Sequence, residues 1–170
     1  MSPEMQKYIL VVDDEADVRN YLQTALEDAG FKVGTAEDGF EAMESVKRNR
    51  PDLISLDLVM PKCSGARFYH ELRRDKELSR IPVMILTGHA KDDLGKTDFE
   101  AMIMSGAGLC LEKPVKPATY VAAVCKMLNI EPPELSVDKS NELRNEISKS
   151  LLQADPEELQ KALEALKKKR

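Results

Sequence analysis

Along the first three quarters of the chain, short apolar runs alternate with amphipathic stretches. Tyr8-Ile9-Leu10-Val11-Val12 is a continuous apolar run rich in β-branched residues, the pattern of a strand buried on both faces of a parallel sheet. It ends at once in Asp13-Asp14-Glu15. Val18, Leu22, Ala25, Leu26 and Ala29 then recur at helical spacing until Gly30 stops the helix. Residues 31–36 read as a more polar strand, suited to a sheet edge. Residues 39–48 return to helical spacing through Phe40, Ala42, Met43 and Val46, and Pro51 breaks the pattern. A third strand is predicted over 53–58, where an apolar run is interrupted by one carboxylate, Asp57. After Gly65 comes a helix with Phe68, Tyr69 and Leu72. A fourth buried strand over 81–86 ends in Thr87-Gly88, and a helix is expected within 92–105. A short fifth strand over 109–111 runs into Lys113-Pro114. Pro117 then opens a last helix whose buried face holds Tyr120, Val121, Val124, Met127 and Leu128. Strands and helices alternate five times. This specifies the α/β class: a five-stranded parallel sheet, doubly wound, with helices on both faces.

The character changes at Glu131-Pro132-Pro133. Leu143, Ile147 and Leu151 mark one amphipathic helix, and Asp155-Pro156-Glu157-Glu158 is a strong start for another, striped by Leu159, Ala162, Leu163 and Leu166. The expected organisation is a sheet domain over 1–130 and a helical extension over 131–170. Two helices with one apolar stripe each cannot build a core of their own. They are expected to pack on the domain, on a second copy as a homodimer, or on another protein.

The 170 residues carry a formal net charge of −5, which supplies no electrostatic reason for nucleic-acid binding. The terminal Lys167-Lys168-Lys169-Arg170 reads as a basic helix end complementing the dipole. Cys63, Cys110 and Cys125 form neither a CxxC nor a metal-spaced set, which disfavours a disulfide framework or zinc site and suits a reducing compartment. No apolar run reaches membrane-span length, no signal peptide precedes the first strand, and a cytoplasmic location is expected.

Ligand sites in open parallel sheets lie beyond the carboxyl ends of the strands. This sequence places Asp13 and Asp14, Asp57, Thr87 and Lys113 there, from four separate stretches. Clustered carboxylates raise one another's pKa unless a cation sits among them. An all-oxygen donor set without histidine or thiolate favours Mg2+. A lysine and a hydroxyl beside such a metal suit an added phosphoryl group, whose oxygens need counter-charge and donors.

On Ile9-Leu10-Val11-Val12-Asp13-Asp14-Glu15, Leu56-Asp57-Leu58-Val59-Met60-Pro61 with Gly65, Leu86-Thr87-Gly88, and Gly106-Ala107 with Lys113-Pro114, the chain resembles the receiver domain of two-component response regulators. The resemblance implies the flavodoxin-like receiver fold. It implies Asp57 as phosphoacceptor, taking its group from a sensor histidine kinase or phosphotransfer protein. It implies Mg2+ held by Asp14, Asp57 and the Val59 backbone carbonyl, with Asp13 acting through water or by positioning. Thr87 and Lys113 would each bind a phosphoryl oxygen, and Lys113-Pro114 would be cis. Phosphorylation would then repack the face made by the helix in 92–105, the fifth strand and the last helix. The output would be a phosphorylation-dependent protein-binding surface for a downstream protein whose identity the sequence does not give. Such a protein catalyses only its own phosphorylation and dephosphorylation and is otherwise no enzyme.

Two departures stand out. Three positions before the lysine, where the family usually has an aromatic residue, this chain has Cys110, read as a small buried core residue. The stretch from Thr87 to Lys113 is a few residues longer than the usual pattern, with the surplus at 90–99. His89 could affect water access to the site. Tyr69-His70-Glu71-Leu72-Arg73 locally resembles a histidine-kinase segment, but it reads as one turn of a receiver helix with His70 at the surface. Three rivals remain. One is a Mg2+-dependent phosphohydrolase, disfavoured because Val59 stands where its general-acid aspartate would be. Another is a phosphorylation-independent interaction module. The last is a DNA-binding regulator acting through the tail, which is short and lacks a basic recognition helix.

Overall fold

The computed structural model describes residues 6–60, 64–88 and 107–132. The helix expected in 92–105, the surplus at 90–99, His89, Cys63 and the helices of the extension lie outside the described residues. In chain order the elements are β1 (Tyr8–Val12), α1 (Ala16–Asp28), β2 (Lys32–Ala36), α2 (Gly39–Arg48), β3 (Leu53–Leu56), α3 (Gly65–Arg74), a 3-10 turn (Leu78–Arg80), β4 (Val83–Thr87), β5 (Ala107–Glu112) and α4 (Pro117–Leu128).

The five strands form one sheet in the order β2-β1-β3-β4-β5, and every pairing is parallel. The polar strand β2 lies at an edge, as its sequence suggested. Side chains alternate across the sheet. Leu10 and Val12 of β1, Ile54 and Leu56 of β3, and Val83 and Ile85 of β4 therefore share one face, packed with Ala42 and Val46 of α2 and Phe68, Tyr69 and Leu72 of α3. The alternate residues, Ile9, Val11, Leu53, Met84 and Leu86, are equally buried and turn to the other face. There α1 packs against α4. Fully burying each such side chain is worth roughly 1.5–3 kcal/mol.

The helix ends follow from local chemistry. The Asp38 side chain caps α2 by accepting from the Phe40 and Glu41 N–H groups, each at 2.9 Å. Ser64 caps α3, and Pro117 fills the first turn of α4. Gly30 ends the α1 turn with φ 88°, a conformation that other residues adopt at a cost.

Several boundaries differ from the sequence reading, each for a physical reason. β3 ends at Leu56 rather than residue 58, because Asp57 folds its side chain onto the Val59 N–H at 3.1 Å and turns the chain. β4 begins at Val83 rather than residue 81, where Pro82 brings no N–H to the ladder. The 3-10 turn was not anticipated; Asp75 nucleates it by accepting from the Glu77 and Leu78 N–H groups at 2.9 and 3.1 Å. In α4, Tyr120, Val121 and Val124 are buried as expected, but Met127 and Leu128 are only half-buried, and Ala123 and Cys125 take the interior instead.

Candidate functional site

β1 and β3 are neighbours although β2 lies between them in sequence, so their connections leave the sheet on opposite sides. This opens a crevice at their carboxyl ends. Two backbone bonds fix what sits there. The Asp13 N–H donates to the Ala36 carbonyl at 3.1 Å, and the Asp57 N–H donates to the Val12 carbonyl at 2.9 Å. Both extend the ladders by one residue and hold the two aspartates at the crevice. Asp13, Asp14 and Asp57 each offer a carboxylate oxygen, and these oxygens all lie within 4.8 Å of one another.

Lys113 enters from beyond β5. Its Nζ lies 2.6 Å from Asp13 Oδ2 and 3.0 Å from Asp57 Oδ2, so one ammonium serves two buried carboxylates. Glu15 stands further off at 3.8 Å and is largely exposed, where a pair contributes little. The other oxygen of Asp13 accepts the Glu15 N–H at 3.0 Å, so Asp13 both braces the start of α1 and faces the cluster. Burial pushes the Asp13 carboxyl above the ordinary aspartate value, against the opposing pull of Lys113 and the Glu15 N–H. Burial alone would lower the Lys113 ammonium, but Asp13 and Asp57 together outweigh it and hold Lys113 above the ordinary lysine value. The peptide bond from Lys113 to Pro114 is cis, as the resemblance implied.

Of the residues singled out by sequence, the fold brings Asp13, Asp14, Asp57 and Lys113 together. The backbone of Thr87 ends β4 opposite Glu112, next to Lys113, while its side chain lies outside the description. Val59 lies in the turn after Asp57 and gives its N–H to Asp57. His70 is exposed, as expected of a surface residue. Cys110 is half-buried against the α2–α3 core rather than fully buried, because β5 is covered less completely than the central strands.

Three contacts at the site are not given by the sequence pattern. Arg19 donates from one guanidinium nitrogen to the Asp13 carbonyl at 2.7 Å and to the Asp14 carbonyl at 3.0 Å, clamping the acidic turn. Its place in the second turn of α1, five and six residues past the acids, was the available signal. Gly65 donates to the Leu58 carbonyl at 3.2 Å and lies directly against the Asp57 backbone. Tyr120, read only as an apolar helix position, lies on the side of the sheet that carries Asp13.

Comparison with known proteins places this arrangement. Residues 9–125 match the family described as the response regulator receiver domain. The chain is 36% identical over 146 residues to the alkaline phosphatase synthesis transcriptional regulatory protein PhoP of Bacillus subtilis (strain 168), an alignment covering 84% of this chain and 58% of that protein. It is 35% identical over 152 residues to the DNA-binding response regulator MtrA of Mycobacterium tuberculosis (strain ATCC 25618 / H37Rv), covering 83% of this chain and 64% of MtrA. The chain thus spans about three fifths of the length of these curated relatives. Their names describe regulators of transcription and DNA binding, which partly conflicts with the expectation, drawn from net charge, that disfavoured nucleic-acid binding. Among solved structures, the chemotaxis protein CheY4 of Vibrio cholerae superposes with a TM-score of 0.63 at 30% identity, covering 71% of this chain and 98% of that one. With the parallel five-stranded sheet and an acidic cluster at its carboxyl edge, the matched residues show that this chain belongs to the response regulator receiver domain family of two-component signalling.

Proposed function

We propose that this chain switches between two signalling states by accepting a phosphoryl group on Asp57, received from a histidine kinase or a phosphotransfer protein. The observation that carries the reading is the shared ammonium: Lys113 bridges Asp13 and Asp57 at 2.6 and 3.0 Å, beside a third carboxylate, at the open end of the sheet. An Asp57 carboxylate oxygen attacks phosphorus, the bond from phosphorus to the donor's imidazole nitrogen breaks, and an acyl phosphate forms. Lys113 is placed to follow the new negative charge, and the Val59 N–H steadies the other oxygen of Asp57. Thr87, at the end of β4, is assigned the donor to a phosphoryl oxygen. The donor set fits a small hard dication, being all oxygen and closely spaced, so Asp13, Asp14, Asp57 and the Val59 carbonyl are assigned to hold Mg2+. When bound, Mg2+ supplies charge neutralisation for the phosphoryl oxygens. On this reading the domain is a signalling element whose only catalysis is on its own acyl phosphate.

Among the described residues no helix is long and apolar enough to cross a membrane. A cytoplasmic location, a downstream protein target and a homodimer through 131–170 remain part of the proposal. A second reading, action on DNA by the whole protein, draws on the names of PhoP and MtrA. Incubation with Mg2+ and acetyl phosphate tests the first: intact-mass analysis should show one added phosphoryl group, lost in Asp57→Asn. Absence of the adduct, or rapid multiple turnover of p-nitrophenyl phosphate, would refute it. Salt-sensitive shifts of duplex DNA by the full chain would favour the second reading. Light scattering of the full chain against a version ending at Ile130 tests the dimer.

A further inference from the structure

Tyr120 lies in the first turn of α4 and is wholly buried, yet its hydroxyl has no hydrogen-bond partner among the described residues. A buried hydroxyl left unpaired is costly, so its surroundings matter. Ser55 and Asp13 both lie close enough to influence it, although no bond to either meets full hydrogen-bond geometry. Ser55 is itself buried, on β3 opposite Val11 of β1. Two residues further along each strand come Asp57 and Asp13, so the side-chain alternation sets Ser55 below the acidic cluster on the face that α4 covers.

Asp13 has two donors: the Glu15 N–H on one oxygen and Lys113 on the other. The second is shared with Asp57. A phosphoryl group on Asp57 would replace one negative charge with about two, and Lys113 would follow the greater charge. A buried Asp13 oxygen would then keep the charge of any cation held beside it but lose the ammonium as hydrogen-bond donor. Among the described residues, the Tyr120 hydroxyl is a buried donor on that face without a hydrogen-bond partner.

We propose that Tyr120 is a reserve hydrogen-bond donor for Asp13, acting directly or through the Ser55 hydroxyl, and that it draws the first turn of α4 toward the site when Asp57 is occupied. This rests on the Asp57 reading above. It makes α4 sense the site at both ends of one short segment, through Lys113 before the helix and Tyr120 within it. Tyr120 is thus a positioning residue and does not touch the phosphoryl group.

Tyr120→Phe removes only the hydroxyl and keeps the ring, so it isolates the idea. Full-length wild type and variant are compared with and without Mg2+ and beryllofluoride, a phosphoryl mimic, at concentrations that saturate each. The readouts are thermal melting and amide hydrogen exchange of residues 117–128. In wild type, exchange across α4 should slow about tenfold on saturation, the worth of one hydrogen bond to a charged group. In Tyr120→Phe the unliganded Tm should be unchanged or slightly higher, while the slowing should fall below about twofold. Equal slowing in both proteins would overturn the proposal. A clear drop in the unliganded Tm would overturn it too, by showing that the hydroxyl already has a partner. A wild type that takes no beryllofluoride would overturn the Asp57 reading itself, and this inference with it.

Discussion

Gly65→Ala tests whether the Asp57 turn is held by packing rather than by its own hydrogen bonds. Gly65 is the first residue of α3 and is buried. A Cβ placed on it would collide with the Asp57 carbonyl oxygen, and would sit 2.8 Å from both the Asp57 carbonyl carbon and the Leu58 Cα. All three atoms are backbone, so no side chain can swing aside. Overpacking a core costs about 1–3 kcal/mol, and an unyielding backbone belongs at the upper end. Alanine returns about 0.5–1 kcal/mol through helix propensity and a less flexible unfolded chain. The net loss is about 2 kcal/mol, a fall in Tm of roughly 6–10 °C for a domain of this size. The same collision displaces the Asp57 backbone, and misplacement of a reacting group by about 1 Å can cost on the order of 100-fold in rate. Urea unfolding should therefore show a lower midpoint with an unchanged slope, and acetyl phosphate should label the variant 10–100-fold more slowly, as an order of magnitude. A variant as stable as wild type and labelled at the same rate would refute the reasoning, since the contact would then not constrain the turn.

Further outcomes follow from the same geometry. Arg19→Met keeps most of the aliphatic stem but loses both bonds to the acidic turn; it should cost about 1–2 kcal/mol and weaken Mg2+ binding in calorimetric titration. Tighter binding would mean that Arg19 acts through its repelling charge and not by positioning. Lys113→Met leaves Asp13 and Asp57 without their shared counter-charge and should destabilise the fold at neutral pH. The pH dependence has a definite sign. The folded pKa of Lys113 is raised above the ordinary lysine value of 10.5, so its stabilisation is complete below that pH and is lost as pH rises through the folded value. Tyr120, raised by burial from 10.0, acts in the same direction. The alkaline arm of a metal-free stability profile should therefore be flatter in Lys113→Met and Tyr120→Phe than in wild type; superimposable arms would exclude both groups as its source. Asp38→Ala removes the α2 cap and should lower stability by about 1 kcal/mol, with Asp38→Asn close to wild type; equal unfolding midpoints for all three would show that the cap contributes nothing.

The fold was legible because its periodicities were strong. Runs such as Tyr8–Val12 permit little but a doubly buried strand, and α2 lies where its apolar spacing put it. Boundaries failed where a local side chain overruled the pattern, as with Asp57 ending β3 and Asp75 seeding a 3-10 turn. The acidic cluster was legible for a different reason. Polar residues that follow buried strands at once have nowhere to go except the carboxyl edge, and in a parallel sheet all such edges coincide. What escaped were the backbone contacts of Arg19 and Gly65 and the state of one buried hydroxyl. Arg19 reads as an ordinary helix arginine until its two carbonyl partners are seen. Gly65 belongs to the motif that carries the resemblance, but its contact with the Asp57 carbonyl depends on three-dimensional approach. Tyr120 is buried as its helical spacing predicts, but apolar periodicity cannot report an unsatisfied hydroxyl.

The site's charge bears on how a signal could leave it. Three carboxylates and one ammonium give a formal −2, and burial pushes the Asp13 carboxyl above the ordinary aspartate value. A bound dication brings that to neutral, and a phosphoryl group, exchanging about −1 for −2, unbalances it again by roughly one charge. One charge-assisted hydrogen bond is worth about 1.5–3 kcal/mol, whereas moving a two-state equilibrium from 1:99 to 99:1 takes about 5.5 kcal/mol. No single contact of Thr87 or Lys113 can do this alone. At least two rearrangements must be linked, and the geometry already links one pair. Any shift of Lys113 toward a group on Asp57 bears on its contact with Asp13, because the same ammonium holds both. On the proposed reading, the cost of weakening the Lys113 contact to a buried Asp13 opposes the switch unless another donor or a bound cation compensates it. Tyr120 of α4 is the donor proposed for that place, which would couple α4 to the occupancy of Asp57.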